Sequence, residues 1–314
     1  MKLVAVFILV VFHIVGFSQA PVDSALKASM RDTLAKNPVL FLKVASKQMK
    51  WEEPATPRHI AGPIYFVGTI GLASYLITTT QGNILLYTGL PSSGPMIEKS
   101  IRALGFKPED IKILITGHAH IDHVGAFAYF KKLSGAQVEI MDAEKELIES
   151  GGKTDFHYGQ YSQFQFEPVK VDRVLHDHDT VTLGGVGMTA LFTPGHTQGG
   201  TTWVMNVIDN GKSYKVVFPD GMSINPGYRV EVHPSYPGIR ENYEKTIEIL
   251  SSLHPDIWLP SHTDFFDFDA KSKRVMPNGE NPFADPKGYE KYIASARATL
   301  DVEIETETAQ DKQQ

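Results

Sequence analysis

The sequence predicts an α/β fold arranged as a four-layer αββα sandwich. Three observations carry this. Short apolar strands alternate with amphipathic helices in both halves of the chain. No Pro/Ser-rich linker separates the halves. Three apolar strands end in loops that each carry histidine, as if they met at one edge of paired sheets. Residues 21–50 read as a polar-helical arm, expected to be loosely held. Ile64–Val67, Ser74–Thr78 and Asn83–Tyr87 follow as short strands, with Gly82-Asn83 as a turn. Pro95 opens a helical stretch toward Leu104, at a position that tolerates proline. Ile113–Thr116 is a buried strand, and Val124–Leu133 a helix. Val138–Met141 is a strand, and Asp142 is placed to cap a helix reaching Glu149. The second half begins with strands at Val169–Leu175, Thr180–Leu183 and Met188–Phe192, continued by Thr201–Val207 and Val216–Phe218. Ile239–Leu253 is a long amphipathic helix, Ile257–Leu259 the last strand and Tyr289–Leu300 the closing helix. The main folded domain is thereby placed at residues 51–300. The tail, residues 301–314, is polar and expected to fray.

Composition narrows the function. The 314 residues suffice for one large domain with a full core. Hydrophobic residues make up 42% and charged residues 21%, an ordinary globular balance. A net charge of −6 argues against nucleic-acid binding, which wants a basic face. With no cysteine there is no disulfide, and any metal must rest on nitrogen and oxygen ligands. The oligomeric state is not readable.

The N-terminus reads as a secretory leader. Met1-Lys2 is a basic start, and the chain is apolar from Leu3 to Phe17 but for His13 and Gly16. Ser18-Gln19-Ala20 then offers small residues for cleavage after Ala20. The apolar run is short for a membrane span, so no stable membrane anchor is expected. The expected location is periplasmic or secreted, with residues 1–20 removed.

The chemistry concentrates in His118-Ala119-His120-Ile121-Asp122-His123, between the run Ile111–Thr116 and the helix after it. Imidazole and carboxylate are the ligands zinc takes in the absence of cysteine. His118 and His120 are two apart and can point the same way in an extended turn. Asp122 and His123 can turn toward a second, neighbouring metal. Four ligand-type residues in six positions are hard to read as a merely polar turn. Two further histidines have a comparable setting. His196 follows an apolar strand in Thr193-Pro194-Gly195-His196-Thr197, and His262 follows another in Leu259-Pro260-Ser261-His262. His59, His157, His176, His178, His233 and His254 sit in turns or polar loops without a cluster.

With these motifs the sequence resembles the metallo-β-lactamase superfamily, and in finer features its subclass B3. The finer features are Gly68–Ile77, Gly195–Trp203, Asn225-Pro226-Gly227-Tyr228 and Asn281–Tyr289. The resemblance runs from about Trp51 to about Ala298. It implies the four-layer fold and two zinc ions per chain, the first held by His118, His120 and His196, the second by Asp122, His123 and His262. It implies Ser223 as a contact for the substrate carboxylate and Tyr228 near the developing oxyanion. There are departures: Gly117 and Gly221 stand where the family usually or sometimes has serine, and Gly200 where it often has cysteine.

The implied activity is that of a secreted zinc β-lactamase with a small-molecule β-lactam substrate. Two zinc ions sharing a water lower its pKa toward neutrality, and the hydroxide attacks the lactam carbonyl. Asp122 would orient that hydroxide. The alternative is another hydrolase of the fold, a lactonase or a glyoxalase-II-like thioesterase, in which an aspartate of this loop bridges the metals; Asp220 keeps it open. If the site is of the B3 kind, Asp220 is expected to be only a loop residue. The Gly-rich stretch 151–166 carries five aromatic residues, which either pack on substrate or cover the core.

Overall fold

The computed structural model describes residues 24–276 and 279–312, so the expected leader lies outside the described residues. Its centre is a pair of packed sheets. The first has the spatial order β1 (Arg58–Ala61), β2 (Ile64–Phe66), β3 (Tyr75–Thr79), β4 (Gly82–Leu86), β5 (Ile111–Ile115), β6 (Gln137–Met141), β7 (Arg173–Leu175). β1 to β4 pair antiparallel through tight turns, whereas β4 to β7 pair in parallel. Parallel neighbours need crossovers. Here these include α3 (Gly94–Ala103), between β4 and β5, and the helical segment after β5. β5 is buried at every position except Lys112, as a central parallel strand should be.

The second sheet runs β12 (Ile257–Trp258), β11 (Lys212–Phe218), β10 (Thr201–Asp209), β9 (Val186–Phe192), β8 (Thr180–Leu183), antiparallel except for β11 with β12. Helices α7 (Ile239–Ser251) and α9 (Pro286–Asp311) pack together on its side of the molecule. One apolar core joins both sheets, and the strand ends that carry the histidines are cross-linked. The Trp203 indole donates to Thr116 O at 2.9 Å, Thr201 N to Gly117 O at 2.7 Å, and Ala73 N to Ser261 O at 2.8 Å.

The structure departs from several expectations. Strand β1 was not foreseen, and Val169–Val171 is irregular. The helix expected over Val124–Leu133 is two pieces, α4 (Ile121–Val124) and α5 (Phe127–Ser134). They break where Gly125 passes so close to Pro91 that a β-carbon would lie 2.5 Å from it. Asp142 does not cap α6 (Lys145–Ser150); it opens a 3-10 turn ahead of that helix.

Both terminal segments prove docked rather than loose. The arm forms α1 (Ser24–Ala35) and α2 (Pro38–Gln48), burying Leu34 and Ala45. α2 starts at Asn37, whose side chain accepts from Leu40 N at 3.0 Å, with Pro38 in the first turn. The tail does not fray after Leu300, because α9 continues to Asp311. Its buried Glu307 accepts from the backbone amides of Val230, Glu231 and Val232 at 2.7, 3.0 and 2.8 Å. Arg31 joins the two segments, pairing with Glu303 at 3.0 Å and donating to Ile224 O at 3.3 Å. Among the described residues no helix is long and apolar enough to cross a membrane.

Candidate metal centre

The six-residue cluster folds as its spacing suggests. β5 stops at Ile115, and the Thr116 hydroxyl donates to His118 O at 2.7 Å, which keeps the next residues out of the strand. His120 remains extended and heads the single turn α4, which carries Asp122 and His123. His196 lies in the tight connection between β9 and β10, and His262 just beyond β12. All six expected ligands converge. One donor atom each from His118, His120 and His196 lie within 4.8 Å of one another, and the same holds for Asp122, His123 and His262. The triads adjoin, with the His118 and His123 rings 4.4 Å apart.

The outer nitrogens decide which atoms face inward. His118 Nδ1 donates to Asp220 Oδ1 at 2.7 Å, His120 Nε2 to Asp155 Oδ2 at 3.1 Å, and His196 Nδ1 to Ser223 O at 2.7 Å. In the neutral tautomer that donates outward, each ring turns a lone pair inward from its other nitrogen. His196 Nε2 and His120 Nδ1 face each other at 3.0 Å, and His118 Nε2 is buried without a protein partner. Lone pairs gathered this way repel unless a cation sits among them, so the residues fit a zinc ion. In the second triad Asp122 Oδ2 lies 3.2 Å from His123 Nε2 and 3.5 Å from His262 Nε2.

Electrostatics favours the neutral form at His123 and His196. Burial holds the His123 imidazole well below its ordinary pKa against the pull of Asp122, and burial with the neighbouring His118 and His120 does the same for His196. Both stand ready as neutral ligands. Burial pushes the Asp122 carboxyl up, but His123 and His262 outweigh it and keep it well below the carboxylate range. His120 is depressed by burial yet ends raised because Asp155 accepts from it.

Sequence reasoning missed the groups behind the ligands. Glu144, 1% exposed, accepts from Ala119 N at 2.8 Å and Gly199 N at 2.9 Å, and so clamps the first ligand loop to the His196 loop. Asp155 also accepts from the amides of His157 and Tyr158 at 2.8 and 2.5 Å, tying the aromatic stretch to His120. The only advance signal for Asp155 was its place in that stretch. The aromatics there cover the core, and two of them also border the cleft. Tyr158 stacks on Phe164 at 4.1 Å, both are buried, and both line the cleft over the histidines. Phe41 and Leu42 of α2 line it too.

Ser223 lines the cleft. Tyr228 does not. It is 3% exposed, its hydroxyl donates to His196 O at 3.1 Å, and its ring is packed among Phe156, His157 and Tyr158. Asn225-Pro226-Gly227 turns the chain back under His196, so Tyr228 supports that ligand's backbone and does not reach the cleft. Asp220 is more than a loop residue: it lines the cleft and its carboxylate accepts from His118.

Comparison with known proteins agrees with this geometry. Residues 69–205 match the family model of the metallo-β-lactamase superfamily. Among solved structures the chain is similar to the native FEZ-1 metallo-β-lactamase from Legionella gormanii, with 43% identity and a TM-score of 0.79, covering 81% of this chain and 97% of that one. It is similar to BJP-1, a subclass B3 metallo-β-lactamase of Bradyrhizobium japonicum, with 36% identity and a TM-score of 0.77, covering 84% and 98%. It also resembles the class B3 di-zinc enzyme LRA-12 from an Alaskan soil metagenome, with 37% identity and a TM-score of 0.75, covering 81% and 96%. Curated relatives are more distant. A probable metallo-hydrolase of Burkholderia pseudomallei is 31% identical over 114 residues, 36% of this chain and 37% of that protein. An N-acyl homoserine lactonase of Bacillus cereus is 27% identical over 149 residues, 40% of this chain and 54% of that protein. The chain thus spans only about a third to a half of the length of these two relatives.

Proposed function

The chain belongs to the metallo-β-lactamase superfamily and is a zinc-binding hydrolase of that fold; from this premise we propose that it is an exported β-lactamase of the B3 kind, holding two zinc ions per chain. The observation that carries the reading is the pair of adjoining triads at the floor of one cleft, His118, His120, His196 beside Asp122, His123, His262. When bound, the metals supply Lewis acidity and a water acidified to near neutrality. Asp122, kept ionised by its two histidine neighbours, accepts a hydrogen bond from that water and aligns it on the lactam carbonyl. Ser223 offers its hydroxyl at the cleft wall to the substrate carboxylate. Tyr158, Phe164, Phe41 and Leu42 form an apolar wall that packs on the substrate body and excludes water around the reacting bond. The apolar leader over residues 1–20 supports export to the periplasm.

The second reading is a lactonase, favoured by the likeness to N-acyl homoserine lactonases. Against it, three protein donors already engage the Asp220 carboxylate, so a bridging metal would have to share or displace the Tyr87 and His118 contacts. Hydrolysis of nitrocefin, a carbapenem and an acyl-homoserine lactone by the zinc-loaded protein separates the two. The expected result is lactam turnover that chelation abolishes and zinc restores. Turnover of the lactone alone would reject the β-lactamase reading.

A further inference from the structure

We propose that Asp220 is a positioning residue that fixes the ring of His118 for metal binding, and that Tyr87 and Gly117 together hold it there. The proposal rests on reading His118 as a zinc ligand. Asp220 is 4% exposed and sits just past the end of β11. Its Oδ1 accepts from His118 Nδ1 at 2.7 Å and from Gly221 N at 2.6 Å; its Oδ2 accepts from the Tyr87 hydroxyl at 2.9 Å. Its own amide donates to Thr202 Oγ1 at 3.2 Å. A carboxylate behind a ligating imidazole fixes the tautomer and the ring orientation and raises the ligand's basicity. His118 Nε2, on the far side of the ring, is the buried nitrogen without a protein partner.

Two oddities elsewhere in the chain are explained by this carboxylate. Tyr87 is fully buried and has φ +63°, a left-handed backbone that a bulky residue adopts only when its surroundings force it. It lies immediately after β4, its amide donates to Ile115 O at 3.1 Å, and its ring packs 5.5 Å from His123. That backbone delivers the hydroxyl to Asp220. At Gly117 a β-carbon would come 1.8 Å from Asp220 Oδ2 and 2.7 Å from the Tyr87 hydroxyl oxygen. No side chain at 117 can coexist with Asp220 in this position. Gly221, with φ +87°, turns its amide onto Oδ1. The departures at 117 and 221 from the family's serines, and the aspartate between β11 and the Asn-Pro-Gly turn, are therefore one connected feature.

The test is first-site metal affinity, measured with cobalt(II) by its d–d absorption and by chelator competition, in the wild-type protein and its variants. Asp220→Ala is expected to weaken the first site by roughly 10–100-fold, the range for loss of an outer partner of a metal ligand, and to alter its absorption bands. The second site should keep its cobalt. Asp220→Asn retains an acceptor for His118 and should recover part of the loss. Tyr87→Phe, which removes one hydroxyl and leaves the core filled, should weaken the site by a few-fold. Gly117→Ser should mimic Asp220→Ala, and adding it to Asp220→Ala should cost little more, because both act on one contact. Unchanged first-site affinity in Asp220→Ala overturns the proposal, as do independent, multiplying effects of the 117 and 220 substitutions. Loss of both metals together in Asp220→Ala overturns it in favour of a bridging ligand. A wild-type protein whose cobalt spectrum is insensitive to His118→Ala would instead overturn the ligand reading beneath it.

Discussion

The two ligand triads lie side by side, yet they are supported very differently. Each imidazole of the first has an acceptor behind it: Asp220 for His118, Asp155 for His120, the Ser223 carbonyl for His196. In the second, His123 Nδ1 and His262 Nδ1 are buried, and among the described residues neither has a hydrogen-bond partner. A buried N–H left without an acceptor costs about 1–3 kcal/mol, and a ring not held from behind must be oriented by packing alone. Tyr87 against His123, and Trp51 and Phe265 at 5.5 and 5.2 Å from His262, provide that packing. The first site is thus preset by hydrogen bonds, whereas the second depends on its single carboxylate, Asp122, and on apolar neighbours. Similar ligand sets in one cleft are therefore expected to bind metal unequally.

The sharpest way to probe the contrast is to remove the charge on which the second triad depends. Asp122→Asn keeps the shape but leaves that triad neutral. Turnover is expected to fall by roughly 10²-fold or more, the scale for loss of a preorganised catalytic group. Elemental analysis should show the second zinc depleted and the first retained. Near-normal turnover with both metals bound would remove Asp122 from the mechanism.

A smaller effect tests the contrast directly in the unaltered protein. Graded chelation should strip zinc in two steps, the second triad first, with apparent affinities separated by about 10–100-fold, because the outer acceptors belong to one side only. His196→Ala should abolish the tighter step and His262→Ala the weaker. A single step, or the reverse order, would show that packing holds His123 and His262 as firmly as hydrogen bonds hold the others.

Legibility in the sequence followed the same division. The six ligands were readable because they combine ligand chemistry with strand-end position, and periodicity located nearly every strand and the major helices. The groups behind the ligands were not readable. Glu144 looks like one more acidic residue at a helix start, and Asp155 like a loop residue; only the fold brings them to the histidines. Tyr228 misled because its motif placed it correctly in the chain but could not say which way the ring points. The terminal segments misled because their composition is polar. Arg31 and Glu307 are charged residues whose partners lie in the distant loop at 224–232, and local composition cannot show such contacts.

That misreading leads to the weakest expected effect. The acceptor behind His196 is the backbone carbonyl of Ser223, so its position depends on the loop that carries it. The neighbouring carbonyl, Ile224 O, is held by Arg31, which also pairs with Glu303. Both side chains of that pair are only partly exposed, 21% and 15%, so the contacts are worth more than a surface ion pair, though less than a buried one. Arg31→Ala should cost about 1 kcal/mol of stability, read as a lowered denaturant midpoint at unchanged slope. Loosening the loop should also relax the first site, since His196 would lose a fixed acceptor, whereas the polar contacts described for the second triad run among its own members. A several-fold drop in first-site affinity with the second unchanged would extend the hydrogen-bonded support of the first triad out to the N-terminal arm. An equal loss at both sites would mean that Arg31 acts on the whole cleft, and the asymmetry would then end at the residues touching the ligands.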